Sequence, residues 1–485
     1  MRKEQAKKKK CTEDENRKRK RATNKEYTLV TVFFVLIFLS LIGYLIYFNT
    51  VKSEDFINSP YNSRQDTFSD RVIRGDITSS EGDILATTTV YEDGSEQRYY
   101  PYENMFAHVV GYDAHGKSGL ESEANFQLLS SHSYFPEQIK NQLYGKKNRG
   151  DTVVSTLSTK LQSTAYYALG ERRGAILVIE PSTGKIRAMV SKPDFNPNTM
   201  DAEWEWLIND ENSSNLLNRV TNGAYPPGST FKIVTALDYY REHGSMNGYT
   251  YVCQGSVTRE DHTIHCYNDS VHGEEDMYTA FARSCNCSFA DLGIDLGGAS
   301  LQKTALSMLF NKKLPFQTYR KSTFDLGKSY GRPLLMQTAI GQGNTLVSPA
   351  HMALLTCAIA NHGVIMEPSL IESIQSDSGE TIKVMQPEEY KRILSEDEAA
   401  VLDEMMQGVV NNGTAAALSG RGYTAAGKTG SAEFDENGSS HSWFIGYSNV
   451  ESPDLAVAII VENGGTGSEA AVPIAASIFD AYYFS

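Results

Sequence analysis

The spacing of apolar and polar positions divides the chain into stretches of different texture. Tyr27 to Phe48, YTLVTVFFVLIFLSLIGYLIYF, carries no charged residue across 22 positions. At about 1.5 Å per residue a helix of that length spans roughly 33 Å, enough for the hydrocarbon core of a bilayer. A cleaved secretory signal would have a shorter apolar region and a small-x-small cleavage site, whereas NTVKSEDF follows here. The pattern predicts an uncleaved transmembrane helix. From Asn49 to Gly150 the chain is polar, rich in Gly and Ser, with short strand-like runs in RVIRGDI and GDILATTTVY. This reads as a small, extended, β-rich domain.

From Asp151 the pattern becomes that of a globular α/β unit. In GAILVIEPSTGKIRAMVSKP two apolar runs, Ala175 to Ile179 and Ile186 to Val190, flank a Pro-Ser-Thr-Gly turn and predict a hairpin. A mostly helical stretch runs from Asn218 to about Ala360, with IVTALDYYREHG ending at Gly244. Near the C-terminus YTAAGKTGSAEF, HSWFIGYS and DLAVAIIVE read as three strands, followed by a closing helix from about Ala470 to Tyr483. Two strands early and three late predict an α/β (α+β) fold, one five-stranded antiparallel sheet covered by helices on both faces. The expected organisation is a basic tail at 1–26, a membrane helix at 27–48, an extracellular pedestal domain at 49–150 and a large domain at 151–485.

Charge adds an orientation. Before Tyr27 twelve Lys and Arg residues face five acids, a balance of +7 within a formal net charge of −14, which leaves −21 for the remainder. A basic run directly before a membrane helix predicts a cytoplasmic N-terminus and an external C-terminal portion. Anionic lipid is the expected partner of the tail. The acidic remainder offers no footprint for nucleic acid.

Six cysteines are few for a disulfide scaffold. Cys253 and Cys266 flank a stretch that can fold back as a hairpin and are candidates for one disulfide, while Cys285 and Cys287 read as small apolar packing residues. His262, His265 and Cys266 come nearest to a zinc set, but no paired C-x-x-C accompanies them. No metal or cofactor is expected.

Candidate chemistry begins at AYPPGSTFK, residues 224–232. Pro-Pro-Gly stops the preceding segment and Ser229 suits the N-cap of the helix that follows, with Lys232 one turn on along the same face. A serine hydroxyl needs a base to become a nucleophile, and a lysine can serve only if burial or a second cation depresses its pKa. A helix N-terminus adds a field that favours the negative charge developing in acyl transfer. Ser-x-x-Lys also occurs at Ser182/Lys185 and Ser300/Lys303. The first lies in the hairpin turn with no helix behind it; the second lacks the Pro-Pro-Gly.

The second lysine is Lys428, in AAGKTGSAE, on a strand where Thr429, Gly430 and Ser431 present hydroxyls and backbone to an extended ligand. Between them ARSCNCSFADLG holds Ser284 and Asn286 in an S-x-N triplet. There the hydroxyl can relay a proton and the amide can both donate and accept. The triplet also occurs at Ser213 to Asn215. Trp443 in HSWFIGY reads as core, and Glu433 as a solvated or paired carboxylate.

PPGSTFK, SCN and KTGSA, in that order and 55 and 144 residues apart, resemble the three active-site motifs of penicillin-binding proteins and serine β-lactamases. RGDITSSEGDILA, GLESEANFQLL, GAILVIEPSTGKIRAMVS, NRVTNGAYPPGSTFK, GQGNTLVSPAHMAL and HSWFIGY extend the resemblance over nearly everything after the membrane helix. It points to class B penicillin-binding proteins, the monofunctional D,D-transpeptidases that cross-link peptidoglycan.

The resemblance implies that Ser229 attacks the carbonyl of the penultimate D-Ala to form an acyl-enzyme, that Lys232 takes its proton, and that Ser284 relays a proton to the leaving D-Ala. It further implies that Asn286 orients the stem peptide, and that Lys428 supplies the field for a terminal carboxylate bound by the Thr429 and Ser431 hydroxyls beside Gly430. The backbone N–H groups of Ser229 and Ser431 are the implied oxyanion hole. An acceptor amine then releases the acyl group, and β-lactams acylate Ser229 by mimicking D-Ala-D-Ala. Ser431 stands where Thr is commoner, with the hydroxyl retained.

By the same resemblance the partner is a polytopic SEDS-type glycosyltransferase, because residues 49–150 are too few to hold a glycosyltransferase domain beside a pedestal. Asn286 separates the chain from class D β-lactamases, whose middle motif resembles S-x-V. A D,D-carboxypeptidase, which finishes the same acyl-enzyme with water, and a class D-like β-lactamase or β-lactam sensor remain as alternatives, followed by a non-catalytic cell-wall scaffold.

Overall fold

The computed structural model describes residues 2–48, 71–133, 135–210, 213–327, 330–433 and 440–484. The N-terminal segment and the body from Asp66 onward are two separate units. In the first, helix α1 (Arg2–Tyr47) is continuous through the basic run and the apolar run alike. Its apolar part is long and apolar enough to cross a membrane. The first part of the expected pedestal, residues 49–70, lies outside the described residues.

The second unit is built on a five-stranded antiparallel sheet. In chain order its elements are α2 (Thr159–Leu169), β1 (Gly174–Ile179), β2 (Ile186–Lys192), α3 (Lys232–His243), α4 (Asn286–Ser307), α5 (Pro349–Ala360), β3 (Ala425–Glu433), β4 (Ser440–Ser448), β5 (Ala456–Val461) and α6 (Val472–Phe484). The spatial order is β3-β4-β5-β1-β2, every pair antiparallel. All six residues of β1 and of β5 are buried, as expected of strands covered on both faces. Helix α5, wholly buried, lies against β1, β4 and β5, while α2 and α6 pack on one another, α2 also against β2 and α6 also against β4 and β5. The two early strands, three late strands and closing helix of the sequence reading are all present.

Strand β3 is one of the two edge strands of this sheet, which sets up the site. Its register against β4 pairs Lys428 with Ile445 and Gly430 with Trp443. Trp443 is fully buried and donates its indole N–H to the Pro226 carbonyl at 3.1 Å. It is core, as its sequence context suggested, and it also anchors the segment that leads into Ser229.

A second sheet of six strands has the order Thr381–Val384, Ile371–Gln375, Thr152–Ser155, Ile77–Thr78, Ile84–Val90, Glu96–Tyr99. It draws strands from both sides of residue 150. Thr152–Ser155 runs parallel to Ile77–Thr78 and antiparallel to Ile371–Gln375. The four strands between Arg71 and Tyr100 are two to seven residues long, too short for a stable sheet alone, and later strands complete the layer.

The middle of the chain is less helical than its pattern suggests. It contains two small ribbons, Tyr251–Cys253 with Gly273–Glu275 and Ser256–Arg259 with His262–His265. Strands of three or four residues fall below the length at which alternation can be told from chance.

Candidate active site

Ser229 does not cap a helix. It sits second in a 3₁₀ turn, Gly228–Phe231, whose N-cap is Pro227, and α3 begins only at Lys232; neither start has a side-chain cap. Gly228, with φ +53°, interrupts a regular helical start here. The consequence is chemical: a capping hydroxyl would be spent on a backbone N–H, whereas the half-exposed Ser229 is left outside that role.

Two glycines shape the turn. Gly228 has φ +53°, and a Cβ there would lie 2.7 Å from the Ser431 carbonyl oxygen of β3. Gly341 has φ +82°, its carbonyl oxygen accepts from the Gly228 N–H at 2.9 Å, and a Cβ on it would lie 1.9 Å from the Gly228 oxygen. The turn bearing Ser229 is thus pressed between the edge strand and the GQGN segment. Gly341 stands out in the sequence only as part of a family-like stretch; its role depends on a backbone approach that no local pattern encodes.

Lys232 is fully buried. Its Nζ donates to the Ser284 carbonyl at 2.7 Å, to Asn286 Oδ1 at 2.7 Å and to Ser284 Oγ at 3.3 Å. Lys428, also fully buried, donates from β3 to the same Ser284 hydroxyl at 2.9 Å and to the Thr429 carbonyl at 3.0 Å. Asn286, the first residue of α4, donates its amide N–H to the His265 carbonyl at 2.9 Å, which fixes the amide with its oxygen toward Lys232. Ser284 has φ +58°, a left-handed conformation that costs a non-glycine residue about 1 kcal/mol. This strained turn aims its hydroxyl between the two ammonium groups.

Burial lowers the Lys232 pKa to about 8, opposed by the negative charge of the neighbouring Cys285, Cys266 and Cys287 sulfurs and of Glu275. Lys428 is held well below the ordinary lysine value, first by burial and then by the charge of Lys232. For Lys232 the lowering comes from desolvation, and the effect of a neighbouring cation falls on Lys428.

The remaining predicted residues lie along β3. Thr429 is buried and its hydroxyl shares a short 2.5 Å hydrogen bond with Thr414 Oγ1, a neighbour that no sequence motif signals. A Cβ on Gly430 would meet Thr230 Cγ2 at 3.1 Å and the Pro227 oxygen at 3.2 Å, so the strand comes flush against the Ser229 turn. Ser431 is half-buried on the same edge. Ser229, Lys232, Ser284, Asn286 and Lys428, drawn from three distant segments, converge here with Thr429, Gly430 and Ser431.

The competing matches do not. Ser182 is exposed in the β1–β2 turn, and Lys185 pairs with Glu372 at 2.9 Å. Ser300 lies inside α4 and donates to Asp238 and Glu242. Asn215 donates to the Asp194 carbonyl. The side chain of Glu433 lies outside the described residues.

The cysteines correct the disulfide reading. Cys253 and Cys266 are free, with Sγ atoms 3.7 Å apart. Cys285 and Cys287 are buried, as expected of packing residues, yet they are not surrounded by hydrocarbon alone: Cys266 Sγ is 3.7 Å from Cys285 Sγ and 3.4 Å from Cys287 Sγ. His265 pairs instead with Asp269 at 2.6 Å.

Comparison with known proteins gives the family and the fold. The family model of the penicillin binding protein transpeptidase domain matches residues 174–480, and that of the penicillin binding protein A dimerisation domain matches residues 74–153. The chain is 31% identical to peptidoglycan D,D-transpeptidase PbpA of Mycolicibacterium smegmatis, over 83% of this chain and 87% of that protein. Its fold matches the ceftriaxone acyl-enzyme complex of penicillin-binding protein A from M. tuberculosis with a TM-score of 0.77 and 27% identity, covering 86% of this chain and 100% of that one. It also matches the D,D-transpeptidase domain of a peptidoglycan glycosyltransferase from Eggerthella lenta, with a TM-score of 0.75, 31% identity and coverage of 85% and 98%.

Proposed function

Because this chain belongs to the penicillin-binding protein transpeptidases, we propose that its converging serines and lysines carry the steps of peptidoglycan D,D-transpeptidation. The protein is a serine-type peptidoglycan D,D-transpeptidase and a target of β-lactams. The observation that supports the roles best is the pair of buried lysines sharing the Ser284 hydroxyl beside the Ser229 turn.

In the acylation step Ser229 Oγ attacks the carbonyl carbon of the penultimate D-Ala while its proton passes to neutral Lys232. The depressed pKa of Lys232 makes the neutral amine accessible near pH 8. The oxyanion lies against the backbone N–H groups of Ser229 and Ser431. As the tetrahedral intermediate collapses, the C–N bond to the terminal D-Ala breaks, and Ser284 relays a proton from the lysine pair to the leaving amine. The acceptor amine of a second stem peptide then attacks the ester carbonyl, forming the new amide and returning the proton to Ser229. The donor peptide lies extended along the open edge of β3, with its terminal carboxylate at the Thr429 and Ser431 hydroxyls in the field of Lys428, and Asn286 holds its amide.

The organisation proposed is a tail at 1–26 on the cytoplasmic side, one membrane helix at 27–48, a pedestal at 49–150 and a transpeptidase domain at 151–485 outside. The basic run before the apolar helix supports that orientation. A SEDS-type glycosyltransferase supplies the glycan strands. Co-purification from membranes tests this partner, and its absence from crosslinked complexes overturns it.

Incubation with paired stem peptides tests the reaction itself. The expected product is a crosslinked dimer with release of D-Ala; release of D-Ala without dimer identifies a carboxypeptidase. A labelled penicillin is expected to stay on Ser229 for many minutes, whereas rapid turnover of the drug identifies a β-lactamase.

A further inference from the structure

Cys253, Cys266, His272 and Cys285 come from four separate segments, yet one donor atom from each lies within 4.8 Å of all the others. The distances between neighbours are Cys253 Sγ to Cys266 Sγ 3.7 Å, Cys266 Sγ to Cys285 Sγ 3.7 Å, and Cys253 Sγ to His272 Nδ1 3.5 Å. A tetrahedral zinc ion with Zn–S near 2.3 Å and Zn–N near 2.0–2.1 Å sets its ligands about 3.8 Å apart for two sulfurs and about 3.6 Å for sulfur and nitrogen. The spacing therefore fits a shared cation, and it is far from the roughly 2.05 Å of a disulfide.

Two further observations agree. Gly255 N–H donates to Cys253 Sγ and Ser288 N–H donates to Cys285 Sγ, both at 3.4 Å, so two of the sulfurs already have the backbone donors that favour thiolates. Cys266 touches three other sulfurs, so no single disulfide satisfies the group. The Glu275 carboxylate is fully buried, 4.0 Å from His272 Nδ1, and neither of its oxygens has a hydrogen-bond partner among the described residues. The half-exposed Arg283 comes no closer to it than 3.8 Å. A buried carboxylate without hydrogen bonds is costly; Glu275 lies beside the group without being one of its ligands, and because three thiolates and a divalent ion sum to −1 the ion does not neutralise it.

We propose that Cys253, Cys266, Cys285 and His272 Nδ1 form a structural zinc site that clamps the turn carrying Ser284 and Asn286. Three thiolates and one imidazole are a closed tetrahedral set that suits zinc. On binding, the three thiol protons leave to solvent and the metal takes their place. Cys287, 3.4 Å from Cys266, is an outer neighbour. The ion takes no part in acyl transfer. Its effect is positional, because Cys285 lies between Ser284 and Asn286 and caps α4, while Cys266 follows the His265 carbonyl that accepts from Asn286. One metal thus ties the left-handed Ser284 turn to the ribbon beneath it. The site is hidden in the sequence because its spacings, C-x₁₂-C-x₅-H-x₁₂-C, contain no paired C-x-x-C.

The test is elemental analysis of the full-length chain, purified in detergent under reducing conditions, followed by replacement of zinc with cobalt(II). About one zinc per chain is expected, and the cobalt form should show thiolate charge-transfer bands with intense tetrahedral d–d bands. Cys253→Ser and His272→Ala should lose about tenfold or more in zinc affinity, and Cys287→Ser should keep it. Chelation should slow acylation by a labelled penicillin, and added zinc should restore it. A wild-type protein that holds no zinc after loading, or a Cys253–Cys266 disulfide found by peptide mapping, overturns the site. Unchanged acylation after complete removal of the metal overturns the clamp. If the ligand variants do not fold, the cobalt spectrum of the wild type decides alone.

Discussion

Lys428 donates to the Ser284 hydroxyl at 2.9 Å across 144 residues of chain, from the edge strand of the sheet to the turn before α4. With Lys232 on the other side of the same hydroxyl, two buried cations share one acceptor. Neither can hold its ordinary pKa there.

The first expected outcome concerns Ser229. Ser229→Ala should reduce acylation by a labelled penicillin roughly 10³-fold or more. The residue is half-exposed and caps nothing, so stability should change by no more than about 0.5 kcal/mol. Intact-protein mass after drug treatment and a thermal melt check both halves.

Acylation should rise with pH through about 8. Below that value Lys232 is protonated and cannot take the Ser229 proton, so kcat/KM should fall about tenfold per pH unit. The midpoint belongs to the lysine pair. Stability has a matching sign: a lysine depressed from 10.5 to about 8 binds its proton more weakly folded than unfolded. Its cost is full below pH 8 and is relieved as pH rises toward 10.5. Stopped-flow acylation and denaturation at several pH values read these effects.

Ser284→Ala and Ser284→Gly both remove the shared hydroxyl and should slow acylation about 10²-fold or more. They should differ in stability. At φ +58° glycine carries no left-handed penalty, so the glycine variant should be about 1 kcal/mol more stable than the alanine variant. Urea melts of the two variants measure the difference.

Gly341→Ala should impair acylation although Gly341 lies in none of the three motifs. A Cβ there meets the Gly228 oxygen at 1.9 Å and the residue has φ +82°, so the Ser229 turn must move. A stability loss of about 2 kcal/mol is expected, together with slower acylation by penicillin. Equal acylation in Gly341→Ala and the wild type would refute the packing argument.

The sequence by itself determined the apolar helix, the five strands of the main sheet and the residues proposed for the site. Each is written locally: 22 uncharged positions, strand-length apolar runs, and Ser229, Lys232, Ser284, Asn286 and Lys428 in short motifs of fixed order. Tertiary structure decided what those residues do to each other. Only the fold brings Lys232 and Lys428 to one hydroxyl, and only burial lowers their pKa values, because desolvation depends on what packs around a side chain and not on its neighbours in the chain. The 3₁₀ start that spares Ser229 from capping, the six-stranded sheet built across residue 150 and the gathering of Cys253, Cys266, His272 and Cys285 have the same origin. Each rests on contacts between segments far apart in sequence, and a one-dimensional pattern carries no distance between them.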